Sequence, residues 1–256
     1  MSDRQPKDSF EAHDILAAFS LLTRTPVPVD HERAGQRAAA ATWAYPVVGG
    51  ILGAVIGFLG LVLNWIGTPE GIAAAITLAA FAFATGAMHE DGLADCADGF
   101  GGAAVKDRRM EIMKDSRIGA FGAIALILVL LARWQGIAAL PPVWLPLALM
   151  AVGAVSRVPM VLAMYAMPNA RGRGLSASVG APPAASVVAA LVIAFAFCFT
   201  GLGLSAALVM GWALLGALPV FWLAHRLIGG QTGDVLGASQ QCAEVAALAA
   251  AVAMLT

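Results

Sequence analysis

The sequence is short of charge: only 12% of its 256 residues are Asp, Glu, Lys or Arg, about half the roughly 25% usual in a soluble domain. With 60% hydrophobic residues and a mean hydropathy of +0.81, one core could not hide the apolar side chains, so most must face lipid. A water-soluble globule is excluded. An excess of either sign is also missing, since 15 basic residues stand against 16 acidic ones, and this leaves no electrostatic footprint for a nucleic-acid partner. Cysteine is scarce. Cys96, Cys198 and Cys242 lie far apart, which suggests neither a disulfide framework nor a thiolate metal site, and they read as small apolar fillers. The first fourteen residues, with Asp3, Asp8, Glu11 and Asp14, lack the apolar core of a cleaved secretory signal.

What the sequence does hold is long apolar runs. Stretches near 43 to 65, 70 to 88, 119 to 139, 143 to 166, 184 to 204, 205 to 226 and 235 to 255 are each about 20 residues, the length that crosses a bilayer. The joins at Pro141–Pro142 and Gly201–Ser205 are weak, so counts of six or eight stay open. The fold class is therefore all-α, a polytopic integral membrane helical bundle of about seven transmembrane helices, read as a single domain over residues 1–256. In residues 10–24, Ile15, Phe19 and Leu22 recur at i, i+4 and i+7, an amphipathic stripe too short to span. It is expected to be an interfacial helix within a cytoplasmic arm over 1–42, ended by Pro26 and Pro28, with His13 and His31 at the surface.

The basic residues alternate along this map. Arg4, Lys7, Arg24, Arg33 and Arg37 precede the first span; Lys106, Arg108, Arg109, Lys114 and Arg117 follow the second; Arg171, Arg173 and Arg226 fall on the same side. The opposite connections, 66 to 69, 140 to 142 and 201 to 205, carry none. By the positive-inside rule the arm and the segment 89–118 are cytoplasmic and the C-terminus is outside. Two arginines fall within spans: Arg133, beside Trp134 near a helix end, is expected to snorkel, whereas Arg157 lies deeper and needs a partner or a polar cavity.

Three polar motifs remain. HEDGLADCADGF (89 to 100) crowds Glu90, Asp91, Asp95 and Asp98 at a span end. On a continuous helix Asp91, Asp95 and Asp98 share an arc of about 60°, while Glu90 and His89 point elsewhere. Carboxylates so placed repel one another unless a hard divalent cation joins them, and magnesium suits such oxygen ligands; the alternative is a solvated acidic turn balanced by nearby arginines. KDRRMEIMKDSRIGAFG (106 to 122) places Arg108, Glu111 and Asp115 at i, i+3 and i+7, either surface pairing or, with Arg117, a cationic wall for phosphates. GGQTGD, formed by Gly229, Gly230, Gln231, Thr232, Gly233 and Asp234, opens the last span as an anion-binding helix start or as a plain cap. Gln240, Gln241 and Glu244 farther along require a polar interior.

Together these motifs resemble the cobalamin synthase family, the adenosylcobinamide-GDP ribazoletransferases. HEDGLADCADGF resembles its H-x-D-G-L-A-D-x-x-D-G signature; DRRMEIMKDSRIGAFG, GGQTGDVLGA and the N-terminal FSLLTRTPVP resemble its other blocks, and Ser156, Arg157, Arg171, Gly174 and Leu175 find counterparts. A basic loop carried by some members is reduced here to AMPNARGRG. The resemblance implies a Mg2+-dependent transferase in the cell inner membrane with its site facing the cytoplasm. It would join adenosylcobinamide-GDP to α-ribazole or its 5′-phosphate with release of GMP. Under it, Asp91, Asp95, Asp98 and Glu90 are metal candidates, and Asp98 or Asp234 takes the attacking hydroxyl's proton. Arg157 or Arg171 meets phosphate oxygens, and Arg108, Arg117, Gly229, Gly230, Gln231 and Thr232 complete the substrate site. A homo-oligomer, or association with other corrinoid-pathway enzymes, is compatible with this reading. The competing reading is a cation-coupled membrane transporter, for which no inverted repeat is seen; a second is a non-catalytic scaffold for corrinoid-handling enzymes, against which the retained carboxylates and glycines argue.

The charge map predicts that cysteines introduced near positions 104 and 231 stay unreactive towards an impermeant thiol reagent added to intact cells; labelling from outside would invert the topology.

Overall fold

A computed structural model describes residues 10–256; Asp3, Arg4, Lys7 and Asp8 lie outside the described residues. Helix α1 (Ala12–Leu22) forms where the apolar stripe was read. The stripe packs on the bundle: Leu22 belongs to the main core, and Ile15 and Phe19 pack against it. Buried Asp14 fixes the arm, accepting hydrogen bonds from Arg37 (2.8 Å) and Trp43 (2.9 Å). Burial alone would raise its pKa, but the bonds to Arg37, Trp43 and the Glu11 amide outweigh it and hold the carboxyl below its usual value. His13 is half-buried rather than exposed, its Nε2 accepting from the Asp30 amide. Helix α2 (His31–Arg37) starts on an Asp30 cap.

The remaining described helices are α3 (Tyr45–Trp65), α4 (Glu70–Thr85), α5 (Met88–Gly102), α6 (Lys106–Ile112), α7 (Ala120–Ala139), α8 (Leu145–Val155), α9 (Val158–Ala166), α10 (Leu175–Val179), α11 (Ala184–Leu202), α12 (Ala206–Ile228) and α13 (Gly233–Leu255). Among the described residues five stretches are long and apolar enough to cross a membrane, and a sixth arises if α4 and α5 count as one bent span. One of the five, Ala184–Ile228, has 45 residues, which as a straight helix would run about 68 Å, over twice the hydrocarbon thickness. It is folded at Gly203–Ser205. Cys198 Sγ lies 3.7 Å from the Ala206 carbonyl, whereas eight residues of straight helix would rise about 12 Å. With that stretch as two passes and the bent pair as one, the apolar passes number seven.

The expected span over 70 to 88 ends early. Gly86 (φ 63°) and Ala87 (φ 56°) both adopt left-handed backbone, and α5 leaves α4 at 88°. For alanine this conformation is strained, and such strain collects at functional sites. The turn sets the acidic motif on a helix of its own, packed between α13 and α7. A second break, Ser156–Arg157, separates α8 from α9 ahead of Pro159, which has no N–H to continue the ladder.

Helix α3 packs most extensively on α8, and glycine makes the approach close enough. A Cβ at Gly53 would strike the Leu149 carbonyl, at Gly57 the Leu145 carbonyl, and at Gly153 the Gly49 carbonyl; small residues at crossing points are how helices associate where lipid removes the hydrophobic drive. Gly53→Leu should therefore lower the melting temperature in detergent, at a cost of about 2 kcal/mol or more. Gly211→Leu, where a side chain meets open space, should melt like the parent.

Candidate active site

Two loops are stitched into one floor. The Gln231 amide donates to the Pro168 carbonyl (2.9 Å) and the Ala170 amide to the Gln231 carbonyl (2.8 Å), so the GGQTGD segment runs beside 168–170. The glycines have structural tasks here. Gly229 caps α12 with φ 81°, and a Cβ at Gly230 would strike the Pro168 carbonyl. Thr232 is the N-cap of α13, its Oγ1 accepting from the Val235 amide at 3.3 Å. Asn169, which sequence reasoning passed over, shapes the neighbouring loop: its Oδ1 accepts from the amides of Arg171 (3.1 Å) and Gly172 (2.7 Å). Its signal was present as an asparagine two residues before an arginine, the spacing of a side-chain-closed turn. The loop delivers Arg171 to Asp234, 2.9 Å away.

Helix α5 brings its acids to the same place. Gly92 packs on the Asp234 backbone, which a Cβ would contact at 2.8 Å. Asp91, Arg171, Thr232 and Asp234 line one cavity of about 170 Å³, and half-buried Asp95 lies within electrostatic range of Asp234, Asp91, Asp98 and Arg171. Asp98 is differently employed. Its oxygens accept from the Gly119 (2.7 Å) and Gly122 (2.8 Å) amides, capping the start of α7. The convergent acids are thus Asp91, Asp95 and Asp234. Among the described residues no three His, Cys, Asp or Glu side chains are close enough to hold a metal ion by themselves. An all-carboxylate set of this kind fits a hard divalent cation that keeps water and completes its shell with substrate oxygens.

Glu90 points the other way, into a buried ionic network. Arg133 bonds Glu90 (2.7 Å), Gln241 (2.9 Å) and Glu244 (2.7 Å). Gln240 donates to Glu244 and to Ser156. Arg157 bonds the Gly153 carbonyl (3.0 Å) and Ser156 (3.1 Å) and lies 3.7 Å from Glu244. The snorkelling expected of Arg133 is corrected: it is 1% exposed, because two carboxylates from α5 and α13 meet it inside the bundle. The polar interior required by Gln240, Gln241 and Glu244 is this network. Arg157 lies in it and does not line the cavity, while its neighbour His89 does. Arg108 and Arg117 are exposed ion-pair partners of Glu111 (2.8 Å) and Asp115 (2.6 Å), which is the surface-pairing alternative; helix α6 ends at Ile112, so the i+7 position of Asp115 falls beyond it.

Against known proteins, residues 14–252 match the cobalamin-5-phosphate synthase family. The chain belongs to that family. Among relatives named adenosylcobinamide-GDP ribazoletransferase, that of Bradyrhizobium diazoefficiens is 43% identical over 243 residues, covering 94% of this chain and 93% of the relative. That of Mesorhizobium japonicum is 42% identical over 238 residues, with 92% and 91% covered, and that of Azorhizobium caulinodans 40% over 246, with 92% and 93% covered. No solved structure matches.

In this synthase-family bundle the ionic network predicts a large asymmetry between arginines. Arg133→Met leaves two buried carboxylates facing one guanidinium and should cost about 3–5 kcal/mol. Arg108→Met removes an exposed pair and should cost about 1 kcal/mol at most. Equal melting temperatures in detergent for the two variants would show that the network does not hold the bundle.

Proposed function

We propose that the protein joins adenosylcobinamide-GDP to α-ribazole, or to its 5′-phosphate, giving adenosylcobalamin, or its 5′-phosphate, and GMP. The reading rests on the convergence of Asp91, Asp234 and Arg171 on one cavity, with Asp95 in electrostatic range of all three, in a chain of the synthase family. In the reaction the ribazole hydroxyl attacks the phosphorus on the corrinoid side of the diphosphate; the bond to the GMP oxygen breaks, and the hydroxyl proton leaves. Family membership takes the place of the transporter alternative.

Each residue then has a task. Arg171, steadied by Asn169, presents its guanidinium to non-bridging oxygens. Asp234, held by Arg171 and Thr232, takes the proton; of the two base candidates it is the one lining the cavity, since Asp98 serves the start of α7. Arg157 works from below, fixing α13 through Glu244. Gln231 ties the two loops at their backbone. Asp91 and Asp95 are the carboxylates to which we assign magnesium, with Asp98 nearby. When bound it would offset the charge developing on the diphosphate. We place this site on the cytoplasmic side of the inner membrane, where the basic segments gather.

Purified protein in detergent, given adenosylcobinamide-GDP, α-ribazole and magnesium, should release GMP and form cobalamin by mass spectrometry. Asp91→Asn and Asp95→Asn should each cut turnover by orders of magnitude, and the double variant by far less than the product, as expected of groups acting as a unit. Asp234→Asn should lose turnover while shifting stability by only about 1 kcal/mol, the scale of losing one partly exposed ion pair. A wild-type protein that forms no GMP overturns the activity; near-parental turnover in Asp95→Asn removes the acids from it.

A further inference from the structure

The cavity has two chemically distinct kinds of lining. Asp91, Arg171, Arg173, Ser176, Thr232 and Asp234 are polar; Leu22 of α1, Tyr45 of α3, Met160 and Met164 of α9, Val179 of α10 and Leu236 of α13 form an apolar wall. Within this wall His89 is 2% exposed, and its Nε2 has no hydrogen-bond partner. Buried polar groups are nearly always paired, so an unpaired ring nitrogen on a residue that lines the cavity, itself closed to solvent, marks a donor that a ligand atom can satisfy when the ring turns towards it. We propose that the apolar wall seats the flat heteroaromatic base of the nucleoside acceptor, with the His89 ring turning to bond the base's free ring nitrogen through Nε2. This rests on the ribazoletransferase reading and names which part of which substrate lies where.

Three observations favour this occupant. A corrin macrocycle carries amide arms round its whole edge, which a wall of leucine, valine and methionine would leave unpaired, and this leaves the two nucleoside bases as contenders. Guanine carries several donors and acceptors on its edge and would leave most of them unpaired against leucine, valine and methionine, a heavy penalty. A benzimidazole joined to ribose has an apolar face and edge and a single free nitrogen, matching one histidine. The placement also directs the chemistry: with the base among the methionines, the attached ribose extends towards Asp234 and Arg171, where its hydroxyl has to react. Room for ring substituents lies beyond. A second cavity of about 280 Å³ between α1, α2 and α10 shares Leu21, Tyr45, Leu175 and Val179 with the first, and methionine side chains readily repack around varied shapes.

Steady-state kinetics with both substrates varied tests the assignment. Val179→Phe should raise the KM for α-ribazole roughly tenfold or more and leave that for adenosylcobinamide-GDP within about twofold. Met164→Ala, which opens the same wall, should improve turnover of benzimidazole ribosides with bulkier ring substituents relative to α-ribazole. Wild-type enzyme should prefer α-ribazole to the analogue whose free ring nitrogen is replaced by CH, and His89→Asn should erase that preference, a coupling that general destabilisation would not produce. If Val179→Phe instead raises the KM for adenosylcobinamide-GDP, the pocket takes guanine and the assignment falls; it falls too if His89→Asn keeps the full preference. Failure of the activity itself is distinguishable, because wild type would then release no GMP. Calorimetric binding of α-ribazole alone, weakened in Val179→Phe or unchanged, would still decide the subsite.

Discussion

A membrane interior does not tolerate an unpaired charge, and this bundle contains four together. Glu90, Arg133, Arg157 and Glu244 come from α5, α7, the α8–α9 break and α13, and balance two against two in a space closed to water. Desolvating four ions is costly, so the arrangement is stable only if every partner arrives at once with the amides and hydroxyl that complete it. That requirement couples the helices: α5 cannot shift along α13 without stranding Glu90, and α7 cannot rotate without withdrawing Arg133. The rest of the site depends on it, because the face of α5 opposite Glu90 carries Asp91 and Asp95.

The reactive end of the molecule is thus a junction of helix starts. Helix α5 begins after the left-handed Gly86–Ala87 turn and runs at a right angle to α4; α13 begins after GGQTGD; α7 begins on the carboxylate of Asp98. Each start has amides without partners within its own helix, and here Thr232 and Asp98 satisfy some of them. Gly92 lets α5 lie directly on Asp234, so two acidic segments more than 130 residues apart in sequence form one electrostatic unit with Arg171. The price of that proximity is repulsion, which Arg171 offsets in part and a bound cation would relieve.

Much was legible in the sequence because its causes are local or compositional. Apolar length gives the passes to within one, the stripe of Ile15, Phe19 and Leu22 gives α1, and the crowded acids stand out whichever way the chain folds. Gln240, Gln241 and Glu244 announced a polar interior, since lipid would reject them. The reading failed where a partner lies far away in sequence. Arg133 looked like a snorkelling residue because the two carboxylates that bury it belong to α5 and α13. For Asp98 a helical projection shows the arc it shares with Asp91 and Asp95, and only the fold adds that its oxygens accept from the Gly119 and Gly122 amides.

What the sequence by itself determined is the solvent the protein lives in, the number of apolar passes to within one and the family whose motifs it carries, all set by composition and by short contiguous patterns. Tertiary structure alone decided which carboxylates lie together. Asp234 joins Asp91 and Asp95 while Glu90 and Asp98 are drawn elsewhere, because the role of an ionisable group in a low-dielectric interior is fixed by the nearest opposite charge or free amide, and only folding brings those neighbours within reach.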